Sequence, residues 1–347
     1  MKYSKMYVYS ARVFYLEKMI MQHEAILYSL DPKIKLSQLQ EFTDYDTNKY
    51  SKLKEWIEKN DIWAMMSSDW DFHFKFLPVR PRIHIFYYMG DISLLNKKML
   101  GIVWPRKMSS YGKQVIDALF LSSQAYNITT ISGMAEGVDQ YCHQLSREYT
   151  LPTIAVLGWG LGRYLKRQEG RLIEQIVASG GLVISEYKLW EKPTQYTFPQ
   201  RNRLIAWLAD ILFLPEAWEK SGSLITVDCA IAMKKPVYAT PNSIFTSTSA
   251  GILPYIEKGD VQMVYTIPKF LSTHFTSKNI QSRTKPAIIL TKQEQSLVSV
   301  FSRDRGSSIQ ELVNTTGFSV EELIQLLTML EIKGVIQQAS PGEYVVK

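Results

Sequence analysis

The stretch Ile128-Thr129-Thr130-Ile131-Ser132-Gly133-Met134-Ala135-Glu136-Gly137-Val138-Asp139, followed further on by Thr153-Ile154-Ala155-Val156-Leu157-Gly158, reads as strand, glycine turn, helix entrance and second strand. Both strands are short and run straight into glycine or serine. Outward from here the same unit recurs, with strands expected over residues 100–103, 182–185, 211–214 and 237–239, each followed by small residues and a helical stretch. Short apolar strands alternating with helices imply a parallel sheet covered on both faces. The fold class is therefore α/β, a doubly wound (Rossmann-like), mostly parallel sheet. Ligands of such sheets gather outside the carboxyl ends of the strands, so the strand-to-helix junctions are where chemistry belongs.

At 347 residues the chain exceeds one ordinary domain. Its 46% hydrophobic and 21% charged residues give a normal globular balance, which argues against a largely disordered chain. Cys142 and Cys229 lie far apart and form no CxxC pair, so neither a zinc site nor a disulfide framework is supported. Arg12, Glu17 and Lys18 interrupt the apolar stretch that would serve as a signal-peptide core. No apolar run approaches the roughly 18 residues that span a bilayer. A soluble, cytoplasmic protein without membrane partners is expected. The net charge of +7 attracts polyanions and pulls the reading slightly toward nucleic acid.

Four segments are expected. Residues 1–80 form an N-terminal helical region, with a short helix over 52–59 and an entry strand near 83–88. Residues 81–271 form the Rossmann-like domain. The polar stretch 272–286 reads as a linker. Residues 287–347 give three helical segments followed by a β-hairpin turning at Pro341-Gly342, the order of a winged-helix domain.

The junctions hold the candidate site residues. At the first, Trp104-Pro105-Arg106, Arg106 can fork onto a phosphate while Ser109 opens the next helix, whose N–H groups favour an anion. At the second, Gly133 permits close backbone approach. The third is Gly158-Trp159-Gly160-Leu161-Gly162, and the fourth is Ser221-Gly222-Ser223-Leu224-Ile225-Thr226, directly after Glu216 and Ala217 in the preceding turn. A single glycine turn is weak evidence, since tight βα turns need glycine for sterics alone. Several on one sheet, with hydroxyls and arginine among the glycines, favour phosphate binding. The most specific stretch is Phe198-Pro199-Gln200-Arg201-Asn202-Arg203, in which two arginines and an aromatic at a helix start fit a phosphate track with a stacking platform. Against this stands a structural reading, with Phe198 in the core and the arginines paired to Glu186 or Glu216.

Taken in order, Ser132-Gly133, Gly137-Val138-Asp139, Ser185-Glu186-Tyr187, Phe198-Pro199, Arg201-Asn202-Arg203, Glu216-Ala217, the Ser221–Thr226 block and Pro241 resemble the DNA-processing protein A family (DprA, also called Smf) over residues 101–259. The resemblance implies binding of single-stranded DNA as a homodimer and loading of the RecA recombinase in natural transformation. It implies no cofactor, no metal and no catalytic activity. This chain departs from the family pattern at the first junction, where Trp104-Pro105-Arg106 replaces Gly-Ser-Arg. It departs again at Gly162, where an aspartate is usual, and at Gly251-Ile252-Leu253.

Asp139 and His143 stand one helical turn apart without a third ligand, and read as a helix-entry aspartate and a packed histidine. The rival function is a nucleotide-binding or N-glycosidic-bond-cleaving enzyme on the similar phosphoribohydrolase fold. Its working glutamate would fall on Cys229, and the neighbouring Asp228 is rotated about 100° away on a helix. Residues 320–332 begin with Glu321-Glu322 after Val320 and carry no Lys or Arg, so this helix repels phosphate and suits protein contact or packing.

Overall fold

The computed structural model describes residues 25–29, 46–66, 80–105, 108–278, 291–301, 306–332, 335–340 and 342–346. The chain divides into two compact units, Met1–Lys278 and Asn279–Lys347.

The first unit is built on a nine-stranded sheet: β1 (Trp63–Met66), β2 (Ile85–Gly90), β3 (Met99–Ile102), β4 (Thr129–Ser132), β5 (Thr153–Val156), β6 (Leu182–Ser185), β7 (Ile211–Phe213), β8 (Val237–Ala239) and β9 (Gln262–Met263). Its order is β1-β2-β6-β5-β4-β3-β7-β8-β9. From β6 across to β9 every pairing is parallel, while β2 lies antiparallel to β6 and β1 antiparallel to β2. The expected α/β sheet is therefore present, with an antiparallel edge added. Strands β3 to β6 are laid down in one direction. The chain then crosses back and sets β7 on the other side of β3, with Leu100 facing Thr130 on β4 and Ile211 on β7. That reversal is the topological switch point at which such sheets bind ligands.

Side chains alternate faces along each strand. On β5 and just beyond it, Ile154 and Val156 join the core of one face, and Ala155 and Leu157 that of the other. Helix Thr197–Leu208 buries Leu204, Ile205 and Leu208 against the first of these cores. A third cluster packs Leu100, Ile102 and Phe213 under helix Ser110–Ser123 through Ile116, Leu119 and Phe120.

Two expected boundaries move. Trp63–Met66, assigned from sequence to a separate N-terminal region, pairs with Phe86 and its neighbours as a strand of the main sheet. Joining the sheet buries Ala64, Met65 and Met66. A helix does precede it, Thr47–Lys59, capped by Asp46 and buried through Leu53 and Ile57. Most of the remaining N-terminal region lies outside the described residues. At the other end, Ser272 to His274 complete helix Ile267–His274 instead of opening a linker. Phe270, Leu271 and Phe275 are buried, and Ser277 bridges to Tyr126, so the unit is anchored through Lys278. The rest of the expected linker, from residue 279, lies outside the described residues.

The second unit holds helices Lys292–Ser299, Ile309–Thr316 and Val320–Ile332, with strands β10 (Ser307–Ser308), β11 (Ile336–Ser340) and β12 (Glu343–Val346) in the antiparallel order β10-β12-β11. Thr291 with Glu294 and Ser308 with Glu311 form reciprocal capping boxes at the first two helices. Leu297, Leu312, Leu323, Leu327, Leu330 and Ile336 make its core. Among the described residues no helix is long and apolar enough to cross a membrane.

Candidate nucleic-acid interface

Segments following β3, β4, β6 and β7 converge at the switch point on a cavity of about 1010 Å³. Its wall includes Trp104, Asp139, Phe198, Pro199, Arg201, Asn202, Trp218 and the turn from Lys220 to Ser223, continued by Ile225 and Thr226. Aromatic and aliphatic surface thus alternates with amides, hydroxyls and a few charges, the usual make-up of a small-molecule or base pocket.

Phe198 is carried by the first turn of helix Thr197–Leu208. That turn is fixed before any ligand arrives: Tyr187 Oη donates to Thr197 O at 2.8 Å, and Thr194 N donates to Thr197 Oγ1 at 3.1 Å. The Phe198 ring meets Trp159 edge to face at a centroid distance of 5.1 Å. It also lies against Gly158, where an added Cβ would stand 3.0 Å from Phe198 Cδ1. The ring is half-buried and lines the cavity, so it is both packed and presented.

The two arginines of this segment have separate fates. Residues two apart on a helix point about 200° from one another. Arg201, 4% exposed, donates to Val156 O and through Nε to Asn202 Oδ1 at 3.0 Å, and its Nη2 lies 4.0 Å from Asp139 Oδ2. It stiffens the cavity wall. Arg203, 6% exposed, points away and pairs with Glu186. Arg203 Nε and Nη1 and Glu186 Oε1 find no hydrogen-bond partner. Burial pushes the Glu186 carboxyl up to about 7 against the pull of Arg203. Arg203 is thus a structural pair member and does not line the cavity, contrary to the sequence expectation. Gln200 is exposed and lies off the wall as well.

The first junction also differs from expectation. Arg106 falls outside the described residues. Ser109 caps helix Ser110–Ser123, its Oγ accepting from Gly112 N at 3.0 Å, but the place of an external anion is taken by the fully buried Glu216. One carboxylate oxygen accepts from Ser109 N at 2.9 Å and the other from the Ser109 hydroxyl at 2.6 Å. A carboxylate at a helix N-terminus is favourable, so this end is self-neutralised and Ser109 is committed internally. Glu216 is committed with it.

Gly133 serves packing as well. A Cβ there would stand 2.2 Å from Asp139 Oδ2 and 2.3 Å from Arg201 Nη1, so its small size lets those two groups meet. Its carbonyl accepts from His143 Nε2 at 2.7 Å, which leaves His143 Nδ1 to accept from the Thr153 hydroxyl at 2.8 Å. Burial pushes the His143 pKa down, consistent with this neutral tautomer. Among the described residues no group of three His, Cys, Asp or Glu is placed to hold a metal.

The fourth junction opens onto the cavity. Helix Ser223–Ala232 has no side-chain cap at Gly222. Ser221 Oγ lies 2.7 Å from Ser223 Oγ and accepts from Ser223 N at 3.3 Å. Asn202 Nδ2 donates to Gly222 O at 3.3 Å and ties the two helix starts together. Gly222 has φ −61°, which any residue adopts, and a Cβ would meet nothing within 4 Å. The fold does not need glycine here. Asp228 accepts from Tyr255 Oη at 2.7 Å, and Cys229 is a half-buried free thiol whose pKa burial pushes up. The cavity also recruits Trp218 and Lys220, which sequence reasoning passed over, and Trp104 and Ile225, named there only within their junctions. The available signal was an aromatic, Trp218, placed in the polar turn Glu219-Lys220-Ser221.

Fold and cavity together define a doubly wound α/β protein with a base- and phosphate-compatible pocket at its switch point. A family model described as DNA recombination-mediator protein A matches residues 62–274, and the chain belongs to that family. Protein Smf of Escherichia coli K12 is 27% identical over 324 residues, 89% of this chain and 84% of the relative. DNA processing protein DprA of Bacillus subtilis is 32% identical over 176 residues, spanning 50% of this chain and 59% of that protein. The structure of DprA from Streptococcus pneumoniae superposes with a TM-score of 0.56 at 25% identity, covering 76% of this chain and 97% of that one. DNA processing protein A from Helicobacter pylori, whose structure is described for its single-stranded DNA binding mode, gives a TM-score of 0.54 at 28% identity over 61% of this chain and 94% of that one.

Proposed function

We propose that this chain binds single-stranded DNA in the switch-point cavity. The observation that carries the reading is one wall that joins a half-exposed aromatic, Phe198, to an uncapped helix start at Gly222 and Ser223. A base stacks on Phe198 while a phosphate meets the start of helix Ser223–Ala232 and the hydroxyls of Ser221, Ser223 and Thr226. Asn202 lies between the two. Arg106 adds a phosphate contact on the grounds of sequence. As members of its family are recombination mediators, the chain hands the bound strand to the RecA recombinase, acting as a cytoplasmic homodimer during DNA uptake or recombination. The C-terminal unit acts as a winged-helix module that contacts protein, in keeping with the acidic start of helix Val320–Ile332. Binding, with no catalysis and no cofactor, is the activity proposed.

Substitution of Phe198 tests the reading. Phe198→Ala is expected to weaken single-strand binding by the worth of one stacked base, about 1–3 kcal/mol, while Phe198→Trp restores it because any π-face can stack. A fall in melting temperature with unchanged affinity per folded molecule would assign Phe198 to the core instead.

A further inference from the structure

An indole left in solvent calls for a reason, because tryptophan carries a large apolar area that folding usually buries. Trp159 stacks on Tyr164 at 4.4 Å, and Trp190 meets Trp56 at 4.7 Å and Lys166 Nζ at 4.5 Å. Trp218 is different. It is 41% exposed, and among the described residues its ring has no aromatic or cationic partner. Trp218 O accepts from Ser221 N at 3.0 Å, and it packs over Gly251 so closely that a Cβ there would stand 2.3 Å away.

The side chain nevertheless lines the cavity, and so does Ile225, 39% exposed on helix Ser223–Ala232. Two large apolar side chains on one stretch of cavity wall are thus left open by the fold. They lie on a different segment from Phe198, joined to it through the Asn202 to Gly222 hydrogen bond. A cavity of about 1010 Å³ is at the upper end of the range for a drug-sized ligand, which leaves room for more than one base. A nucleobase has the chemistry this wall lacks: a flat apolar face for the indole and polar edges for Asn202, Ser221 and Ser223.

Resting on the single-strand reading, we infer that Trp218, with Ile225 beside it, is a second stacking platform, taking a nucleobase adjacent in the strand to the one on Phe198. Phe198 therefore holds one base and Trp218 another, and the strand crosses the mouth of the cavity with its phosphates toward the start of helix Ser223–Ala232.

The test uses the full chain, a labelled thymine oligonucleotide, and an abasic strand of the same length that keeps the phosphates. Trp218→Ala is expected to weaken binding of the thymine strand roughly tenfold or more, with Trp218→Phe close to wild type. The abasic strand is expected to bind wild type and Trp218→Ala equally. Quenching of tryptophan emission by the thymine strand should shrink in Trp218→Phe although that variant still binds. Wild-type affinity of Trp218→Ala for the thymine strand overturns the assignment. So does an equal loss for both strands, which would mean a backbone contact or a structural role. If wild type binds neither strand, the single-strand reading itself falls and the stacking assignment with it.

Discussion

Gly133→Ala should destabilise the protein before it touches any ligand. The added Cβ would stand 2.2 Å from Asp139 Oδ2 and 2.3 Å from Arg201 Nη1, well inside contact distance, so at least one of these groups must move. Neither can move cheaply. Arg201 is buried and bonded to Val156 O, and Asp139 accepts from Ala135 N at 3.1 Å and from Ser132 Oγ at 3.2 Å. Overpacking a rigid core costs about 1–3 kcal/mol, and losing one hydrogen bond to a charged group adds about 1.5–3 kcal/mol. Even near the lower end of that sum, about 3 kcal/mol, the melting temperature falls by roughly 6–12 °C in a unit of this size. Thermal unfolding followed by circular dichroism measures it. A melting temperature within about 2 °C of wild type, accompanied by lost DNA binding, would refute the packing role and return Gly133 to the ligand-facing set.

Gly222→Val makes the opposite prediction: φ is ordinary and the Cβ direction is open, so stability should hold while single-strand affinity falls. A variant that binds as wild type would remove Gly222 from the interface. Glu186 predicts a pH effect. Its folded-state pKa of about 7 lies above the ordinary carboxyl value of 4.5, so the folded state holds the extra proton between them, and stability falls as pH rises through that window. The loss approaches roughly 3 kcal/mol at one pKa unit per 1.36 kcal/mol. Urea melts of wild type and Glu186→Gln between pH 4.5 and 7.5 should differ in slope, and parallel slopes would contradict this environment for Glu186.

The sheet was legible because short strands closed by small residues alternate with helical stretches, the pattern of a doubly covered parallel sheet. The edge strands were less so: Trp63–Met66 is only four residues long, and its partner Phe86 lies across a long intervening segment. At the site, the glycine and serine block from Ser221 to Thr226 could be read directly, since five of its six residues meet the cavity. Ser109 could not, because its partner Glu216 is 107 positions away and only the folded sheet brings the two junctions together. Arg201 and Arg203 look alike in sequence, and helical rotation alone decides that one braces the cavity and the other turns to Glu186. Trp218 went unread because an aromatic near a strand end is ordinarily core, and its exposure emerges only from the fold.

The central claim is single-strand binding at the switch-point cavity. Its most direct test is the affinity of the full chain for labelled single-stranded and duplex DNA of equal length across a salt series. The account predicts clear preference for the single strand, with log K falling linearly against log salt at about −0.7 per phosphate contacted. Equal, weak binding of both forms with a flat salt dependence would contradict it.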